Sequence, residues 1–463
     1  MNAPGGDSAA RDANVNREPD PGSGFRRRIA PMSPSTRTDR QLAIHGGPMA
    51  VPEPDPSSLF DWPIVTEEDE QAIVGVLRRG DMSRKGTTIE FEEAWGKYLG
   101  TTHNLGYCNG TAALMAAMWA VGLRRGDEMI APSYSYWATA LQCLNLGATA
   151  VFADIDPETL NIDPDDVERR ITERTKAITV VHISGYPCDM DRIMAIADRH
   201  GLKVIEDNSH AHGALHKGRL TGSIGHVGAM SMMTRKSFSI GEAGMLSTND
   251  RSIWERAIAF GHYARQAESE TDPELSRYAG MPLGGFKFRM CQWSSAMGLV
   301  QLKHYPRRMA EIDRAMNRFW DQLEGLPGLR AHRPPKGSGL TKGGWYYPVG
   351  IYDADALGGL PIEKYIEAVR AEGSPAKPGM TRPMHLHPVF QDADVYGDGK
   401  PTSIAFTDRD VRQGAGALPV TERMPGRVVT VPYFKHDDAD AIARHADAYR
   451  KVIEHADELG DGR

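Results

Sequence analysis

The sequence predicts an α/β fold with a mostly parallel sheet and crossover helices. Two observations carry that reading. Apolar runs of strand length alternate with helix-length segments across about Ala113 to Ile205. Each new strand is reached through such a helix, as parallel pairing requires. A third observation adds a second unit. The chain has 463 residues, enough for two domains, and past about Leu302 a long helix leads into a separate α/β segment. The expected division is an N-terminal extension at 1–40, a large sheet-bearing domain at 41–302 and a smaller C-terminal domain at 303–463.

Taken in order, residues 1–40 are rich in Gly, Pro, Asp, Ser and Arg, so disorder is expected there. Arg26, Arg27 and Arg28 read as a solvated tail or a nucleic-acid contact, and the net charge of −7 favours the first. Glu67 to Arg79 reads as a helix, with Ile73, Val74 and Val76 apolar, broken by Gly80-Asp81-Met82-Ser83. A second helix, about Ile89 to Leu99, aligns Phe91, Ala94, Trp95 and Tyr98. Asn104 to Cys108 reads as a strand, and Ala112 to Val121 as a helix of small residues. Between them, Asn109-Gly110-Thr111 opens the helix, either as an ordinary cap or as an anion site built from free N–H groups.

The strand Asp127 to Pro132 leads into Ser133-Tyr134-Ser135-Tyr136-Trp137-Ala138-Thr139. An aromatic placed there can stack on a flat ring or join the core, and the sequence does not separate Tyr134, Tyr136 and Trp137. Strands at Ala150 to Asp154 and Ala177 to Ile183 alternate with helices at Asn161 to Arg170 and Asp189 to His200. Further on, a helix starts at Ile253, Gln266 to Arg277 reads as a mobile loop, Trp345 to Tyr352 and Val428 to Tyr433 read as strands, and Asp437 to Lys451 is a closing amphipathic helix.

Composition narrows the function classes. Hydrophobic content of 40% and charged content of 25% are those of a soluble globular protein. The acidic balance and the lack of a basic recognition module argue against a nucleic-acid partner. No apolar run approaches the roughly 18 residues of a membrane span, and the N-terminus lacks a signal core. Cys108, Cys143, Cys188 and Cys291 show neither metal spacing nor a disulfide framework, so a reducing cytoplasm is expected. His385 and His387 lack the framework of a metal site, so no metal is expected.

The chain is organised around Leu202 to Leu246. The run Lys203 to Ile205 reads as a buried strand ending in Glu206 and Asp207. A second strand, about Ala229 to Met232, leads to Ser231, Thr234, Arg235 and Lys236, followed by Gly241-Glu242-Ala243-Gly244. A carboxylate and a lysine at the ends of two such strands can meet at the edge where open α/β sheets bind ligands. Pyridoxal phosphate (PLP) chemistry needs that pair: the amine forms an imine, and the carboxylate keeps the pyridine nitrogen protonated. A surface lysine and an N-capping aspartate would satisfy the spacing equally well.

The stretch resembles the DegT/StrS family of sugar aminotransferases, which are fold-type I PLP enzymes. The matching residues are Glu206-Asp207, His212-Gly213-Ala214, Ser231, Lys236 and Gly241-Glu242-Ala243-Gly244. Ala243 replaces a family glycine, and His210 stands where the family often has Gln. The resemblance runs from about Ile44 to the C-terminus. It implies the aminotransferase fold-type I architecture: a large domain with a mostly parallel seven-stranded sheet, and a smaller C-terminal α/β domain. It also implies roles: Lys236 and Asp207 catalytic, Gly110, Thr111 and Ser231 on the cofactor phosphate, Tyr136 stacked on the ring, and His210 beside the cofactor. Gly284-Gly285-Phe286-Lys287-Phe288-Arg289-Met290 resembles a family segment whose Asn reaches a partner's phosphate; here Lys287 holds that position and brings a full positive charge. A homodimer sharing its active sites follows from that match. Met384-His385-Leu386-His387-Pro388 and Leu418-Pro419-Val420-Thr421-Glu422-Arg423 resemble two further landmarks.

The resemblance implies transamination from L-glutamine or L-glutamate to a keto-sugar or keto-cyclitol, as in antibiotic biosynthesis. Lys236 argues against a dehydratase branch that carries histidine there. Asp207-x-x-His210-Ala211-His212-Gly213-Ala214 also resembles 3-amino-5-hydroxybenzoate synthases, whereas Leu42-Ala43-Ile44-x-Gly46-Gly47 looks more like cyclitol aminotransferases. A non-catalytic PLP-binding regulator or partner subunit is the reading from a different class, and the retained lysine, aspartate and phosphate loop speak against it.

Overall fold

The computed structural model describes residues 41–266, 272–379 and 381–460. The expected disorder of residues 1–40 and part of the expected loop, residues 267–271, lie outside the described residues. The rest of that loop is not featureless, since Pro273–Ser276 forms a helical turn capped by Asp272.

Seven strands form the main sheet: β1 (His103–Tyr107), β2 (Glu128–Pro132), β3 (Thr149–Ala153), β4 (Thr175–Val181), β5 (Lys203–Asp207), β6 (Val227–Ser231) and β7 (Gly244–Thr248). Their spatial order is β1-β7-β6-β5-β4-β2-β3. Neighbouring pairs from β3 through β6 are parallel, and β7 runs antiparallel to both β6 and β1. The parallel strands therefore end on one edge of the sheet. Strand periodicity sends alternate residues to opposite faces. Met129 and Ala131 join a core with α3 (Gly110–Ala120), while Ile130 joins one with α5 (Met190–His200).

Helix α3 is apolar all round because a second helix, α6 (Arg251–Gly261), covers it from outside. It starts two residues earlier than the apolar pattern suggests, because Asn109 caps it and its Oδ1 accepts from Ala112 N at 2.8 Å. Helix α4 (Pro164–Arg170) is shorter than expected at its start, where Pro164 sets its first turn and Asp163 its cap.

Two N-terminal helices, α1 (Glu67–Arg79) and α2 (Gly86–Leu99), lead into the sheet. A 30-residue helix, α7 (Gln292–Asp321), runs through Leu302 without a break. Beyond it lies a four-stranded sheet made of β8 (Leu329–Ala331), β9 (Val349–Tyr352), β10 (Lys377–Pro378) and β11 (Val428–Thr430), in the order β8-β9-β11-β10. Helices α8 (Ile362–Ala371) and α9 (Ala439–Glu454) pack into the same core as Trp320 and Tyr352. The strand expected at Trp345 to Tyr352 begins only at Val349. Trp345 and Tyr347 have φ of 52° and 54°, a left-handed backbone that no strand accommodates. Among the described residues, no helix is long and apolar enough to cross a membrane.

Candidate active site

The ends of β1, β2, β5 and β6 converge on one edge of the sheet. Asp207 is the last residue of β5 and is buried. Its Oδ2 accepts from the Thr139 hydroxyl at 2.7 Å, and its Oδ1 from Ser209 N at 3.1 Å. Thr139 is itself linked to Ser135 Oγ at 2.9 Å. Glu206 points to the other face of the strand, as a period of two requires. There it receives Gly222 N, Ile224 N and Gly225 N at 2.6–2.8 Å and lies 2.9 Å from His182 Nε2. Burial pushes the Glu206 carboxyl up, but His182 and these N–H groups bring it below its ordinary value. Glu206 is thus fully engaged in structure, and Asp207 faces the site.

Lys236 follows β6 in a tight turn in which its N–H donates to Met233 O at 2.7 Å. Its carbonyl accepts from Trp62 Nε1 at 2.8 Å. The side chain is 8% exposed, and its Nζ donates no hydrogen bond among the described residues. Burial lowers the amine to a pKa of about 8, while the Asp207 charge acts against that shift. The ring of Tyr346 covers the amine, with Nζ 4.3 Å from its centroid.

Two histidines line the same wall. His212 is fully buried, and its Nδ1 lies 3.3 Å from Ser237 Oγ. Burial and the Lys236 charge hold it neutral, with a pKa of about 3, and its Nε2 has no partner among the described residues. His210 is half-buried, its ring 4.6 Å from Tyr346. Burial first, then Lys236, His212 and Lys342, depress its imidazole well below the ordinary range.

The start of α3 is pressed onto the end of β6. A Cβ on Gly110 would lie 2.6 Å from Ser231 backbone atoms, so only glycine fits. Gly244 is equally constrained, since its Cβ would meet Asn109 O at 2.4 Å. Thr111 and Ser231 are half-buried at this junction. Ser231 N donates to Ser209 Oγ at 2.9 Å, which ties the end of β6 to the loop after Asp207. Free N–H groups, two hydroxyls and a helix dipole end meet here, a cradle suited to a phosphate.

The three aromatics after β2 are now separated. Tyr134 is 3% exposed and bridges to Pro383, so it belongs to the core. Tyr136 is 57% exposed, with its ring 4.9 Å from that of Trp137. The loop is anchored at its base by a buried chain. Ser133 Oγ lies 2.8 Å from His385 Nδ1, and His385 Nε2 lies 3.1 Å from Glu422 Oε1. The two landmark segments near the C-terminus therefore hold the loop that carries Tyr136 and Thr139.

Lys287 is exposed. Its segment runs beside β1, with Cys108 N donating to Phe288 O at 2.7 Å and a bridge between Tyr107 and Arg289. Thr139, Trp62, His212 and Tyr346 carry no assigned role in the sequence reading. Only His212 had a visible signal, its place in the His-Gly-Ala motif.

This constellation coincides with a sequence match. Residues 63–448 match the DegT/DnrJ/EryC1/StrS aminotransferase family. The chain belongs to that family. It is 33% identical over 445 residues to the L-glutamine:2-deoxy-scyllo-inosose aminotransferase of Streptoalloteichus tenebrarius, covering 90% of this chain and 99% of that protein. It is 30% identical over 401 residues to the spore coat polysaccharide biosynthesis protein SpsC of Bacillus subtilis, covering 86% and 97%. Among solved structures, the aminotransferase from Psychrobacter cryohalolentis aligns with a TM-score of 0.74 at 28% identity, covering 86% of this chain and 100% of that one. This DegT/StrS chain is a PLP-dependent aminotransferase of fold-type I. Its site fits that cofactor: a reactive amine, a buried carboxylate and a glycine-lined cradle meet at one sheet edge.

Proposed function

We propose that this enzyme moves the amino group of L-glutamine or L-glutamate to a keto-sugar or keto-cyclitol in antibiotic or other secondary-metabolite assembly. The observation that carries the reading is the buried Lys236 amine, held near neutrality beside Asp207 at the carboxyl edge of the sheet. The substrate class comes from relatives, one of whose names joins L-glutamine to 2-deoxy-scyllo-inosose. GDP-perosamine synthase from Caulobacter vibrioides, 33% identical over 341 residues, keeps nucleotide sugars in view.

In this reading PLP supplies an electron sink that acidifies the donor Cα–H. Lys236 holds the cofactor between turnovers. Freed by the donor amine, Nζ takes the Cα proton as a general base and returns it as a general acid. Asp207, oriented by Thr139 and Ser209, would keep the ring nitrogen protonated. Gly110 N–H and the Thr111 and Ser231 hydroxyls would hold the phosphate. Tyr136 would stack on the cofactor ring and shield it from water, and His210 would line the site as a neutral group. The donor leaves as a 2-oxo acid, and the ketone is aminated by the reverse sequence, so ping-pong kinetics follow.

The proposed assembly is a homodimer, in which the exposed Lys287 reaches the phosphate of the partner's site. Mixing Lys236→Ala with Lys287→Ala subunits tests it: PLP retention should then differ between the two sites of a mixed dimer, and equal retention would count against the exchange. The proposed division remains a large domain ending near residue 302 and a smaller C-terminal one, in a cytoplasmic enzyme.

The deciding experiment is an absorption spectrum before and after adding L-glutamine or L-glutamate. Loss of the visible band of the lysine-bound cofactor, with a rise in the ultraviolet, establishes the first half-reaction and names the donor. A band unmoved by both donors would shift the assignment to a 3-amino-5-hydroxybenzoate-type synthase or to another amine.

A further inference from the structure

The segment Lys342 to Tyr347 is forced into the site at a conformational cost. Trp345 and Tyr347 both have positive φ, which bulky residues rarely adopt. Ser184, whose N–H points at His210 Nδ1 from 3.4 Å, is a third such residue with φ of 49°. The segment is wedged tightly. A Cβ on Gly343 would lie 2.4 Å from Ala214 N, and one on Gly344 would lie 2.2 Å from Ser237 Cβ. It is also fixed from outside, because Trp345 Nε1 donates to Asp313 Oδ1 at 2.8 Å and the Tyr433 hydroxyl donates to Gly344 O.

The two strained residues flank Tyr346, and the result is that its ring lies against the Lys236 amine, 4.3 Å from Nζ to centroid. The ring also neighbours His210, with centroids 4.6 Å apart. Strain kept on both sides of one aromatic, with its face on the reacting atom, is the pattern of a functional constraint.

We propose that Tyr346 is a further catalytic residue, whose ring face holds the Lys236 ammonium whenever the lysine is free of the cofactor. The electron-rich face attracts a cation and gives a neutral amine no comparable pull. The proton taken from the donor Cα therefore stays on Nζ until it is delivered, and the balance is one proton gained and the same proton lost. Other groups also act on this amine and ring. Asp207 at the end of β5 favours the ammonium, and Arg235 and Tyr136 lie near the Tyr346 ring. His210 and His212 are held neutral and add no charge, and the charge of Lys342 reaches His210. The inference rests on Lys236 being the cofactor lysine.

The test is acetic anhydride labelling of the full-length chain stripped of cofactor, followed over pH, with acetylation of the Lys236 peptide measured by mass spectrometry. Only the neutral amine reacts, so the midpoint reports its titration. Tyr346→Leu removes the π face and keeps the position apolar and filled; alanine would admit water and act in the opposite direction. The wild-type midpoint is expected near pH 8. Leu should lower it by about 0.5–1 unit, which leaves roughly three- to fivefold more reactive amine at pH 7. Tyr346→Phe, which keeps the ring, should leave it in place. If the Leu chain fails to fold, Tyr346→Met gives the same comparison. An unmoved midpoint in the Leu or Met chain overturns the proposal, as does a Phe shift equal to theirs. Failure of the cofactor assignment is read separately, because borohydride reduction of the PLP-loaded enzyme would then fix the cofactor on a residue other than Lys236, whatever the labelling midpoint.

Discussion

Lys236 and Lys342 are both buried, and the charge of each reaches His210, yet they are built in opposite ways. Lys342 Nζ donates to His332 O at 2.8 Å and lies 3.1 Å from His332 Nδ1, with the Trp345 ring 4.8 Å away. His332 Nε2 in turn lies 2.7 Å from Thr159 O. Burial depresses the Lys342 amine well below its ordinary value. Its amine is thus engaged by His332 through two polar contacts. Lys236 has the reverse arrangement, with an Nζ that donates no hydrogen bond among the described residues, a carboxylate acting against burial, and the Tyr346 ring face over the amine. Burial makes a lysine easier to deprotonate, but open hydrogen-bonding capacity is what makes it available for chemistry. Lys435, buried against the rings of Trp62 and Tyr433 with its Nζ unpartnered among the described residues, shows that burial against aromatics alone adds no neighbouring acid.

The comparison breaks most directly by exchanging the two lysines' fates. Lys236→Ala should abolish the lysine-bound visible band and turnover, whereas Lys342→Met should keep the band; loss of the band in both, with both chains folded, would erase the distinction. Asp207→Asn removes the charge that sets Lys236 apart. Turnover should fall on the order of 10²–10³-fold, as when a preorganised electrostatic partner is lost, and steady-state kinetics on folded variants would check it.

The pH dependence of stability comes next. The Lys236 amine titrates near 8 when folded against an ordinary 10.5, so its folded charged form is disfavoured. The resulting penalty is complete below about pH 8 and fades as pH rises toward 10.5. Lys236→Met should therefore stabilise the cofactor-free chain at pH 7 by about 1–3 kcal/mol, with the gain lost near pH 10.5. Urea unfolding at the two pH values reads this, and a gain independent of pH would contradict it. The smallest effect is expected for His210→Gln. His210 is held neutral, so the change removes no charge, and turnover should change by less than about tenfold, ~1.4 kcal/mol.

Much of the large sheet was legible in the sequence, because short apolar runs of strand length identify buried strands, whereas the pairing of Lys236 with Asp207 was left open by spacing and came from the family resemblance. Period two also explains why Asp207, and not Glu206, faces the site, although choosing between adjacent carboxylates required knowing which face the pocket occupied. Tyr134, Tyr136 and Trp137 were inseparable, since burial in a loop depends on distant segments, here Pro383 and His385. Tyr346 was hidden more deeply. Its apolar, aromatic surroundings read as strand, and only the close fit of Gly343 and Gly344 against Ala214 and Ser237 turns the backbone left-handed there. Trp62 and Thr139 reach Lys236 and Asp207 across 174 and 68 residues of sequence, a link that local pattern does not carry.

The most direct test of the difference between the two lysines is borohydride reduction of the PLP-loaded enzyme, followed by peptide mapping of the fixed cofactor. The adduct is expected on Lys236 alone. An adduct on Lys342, or a fully loaded enzyme that leaves Lys236 unmodified, would contradict the assignment on which the site is built.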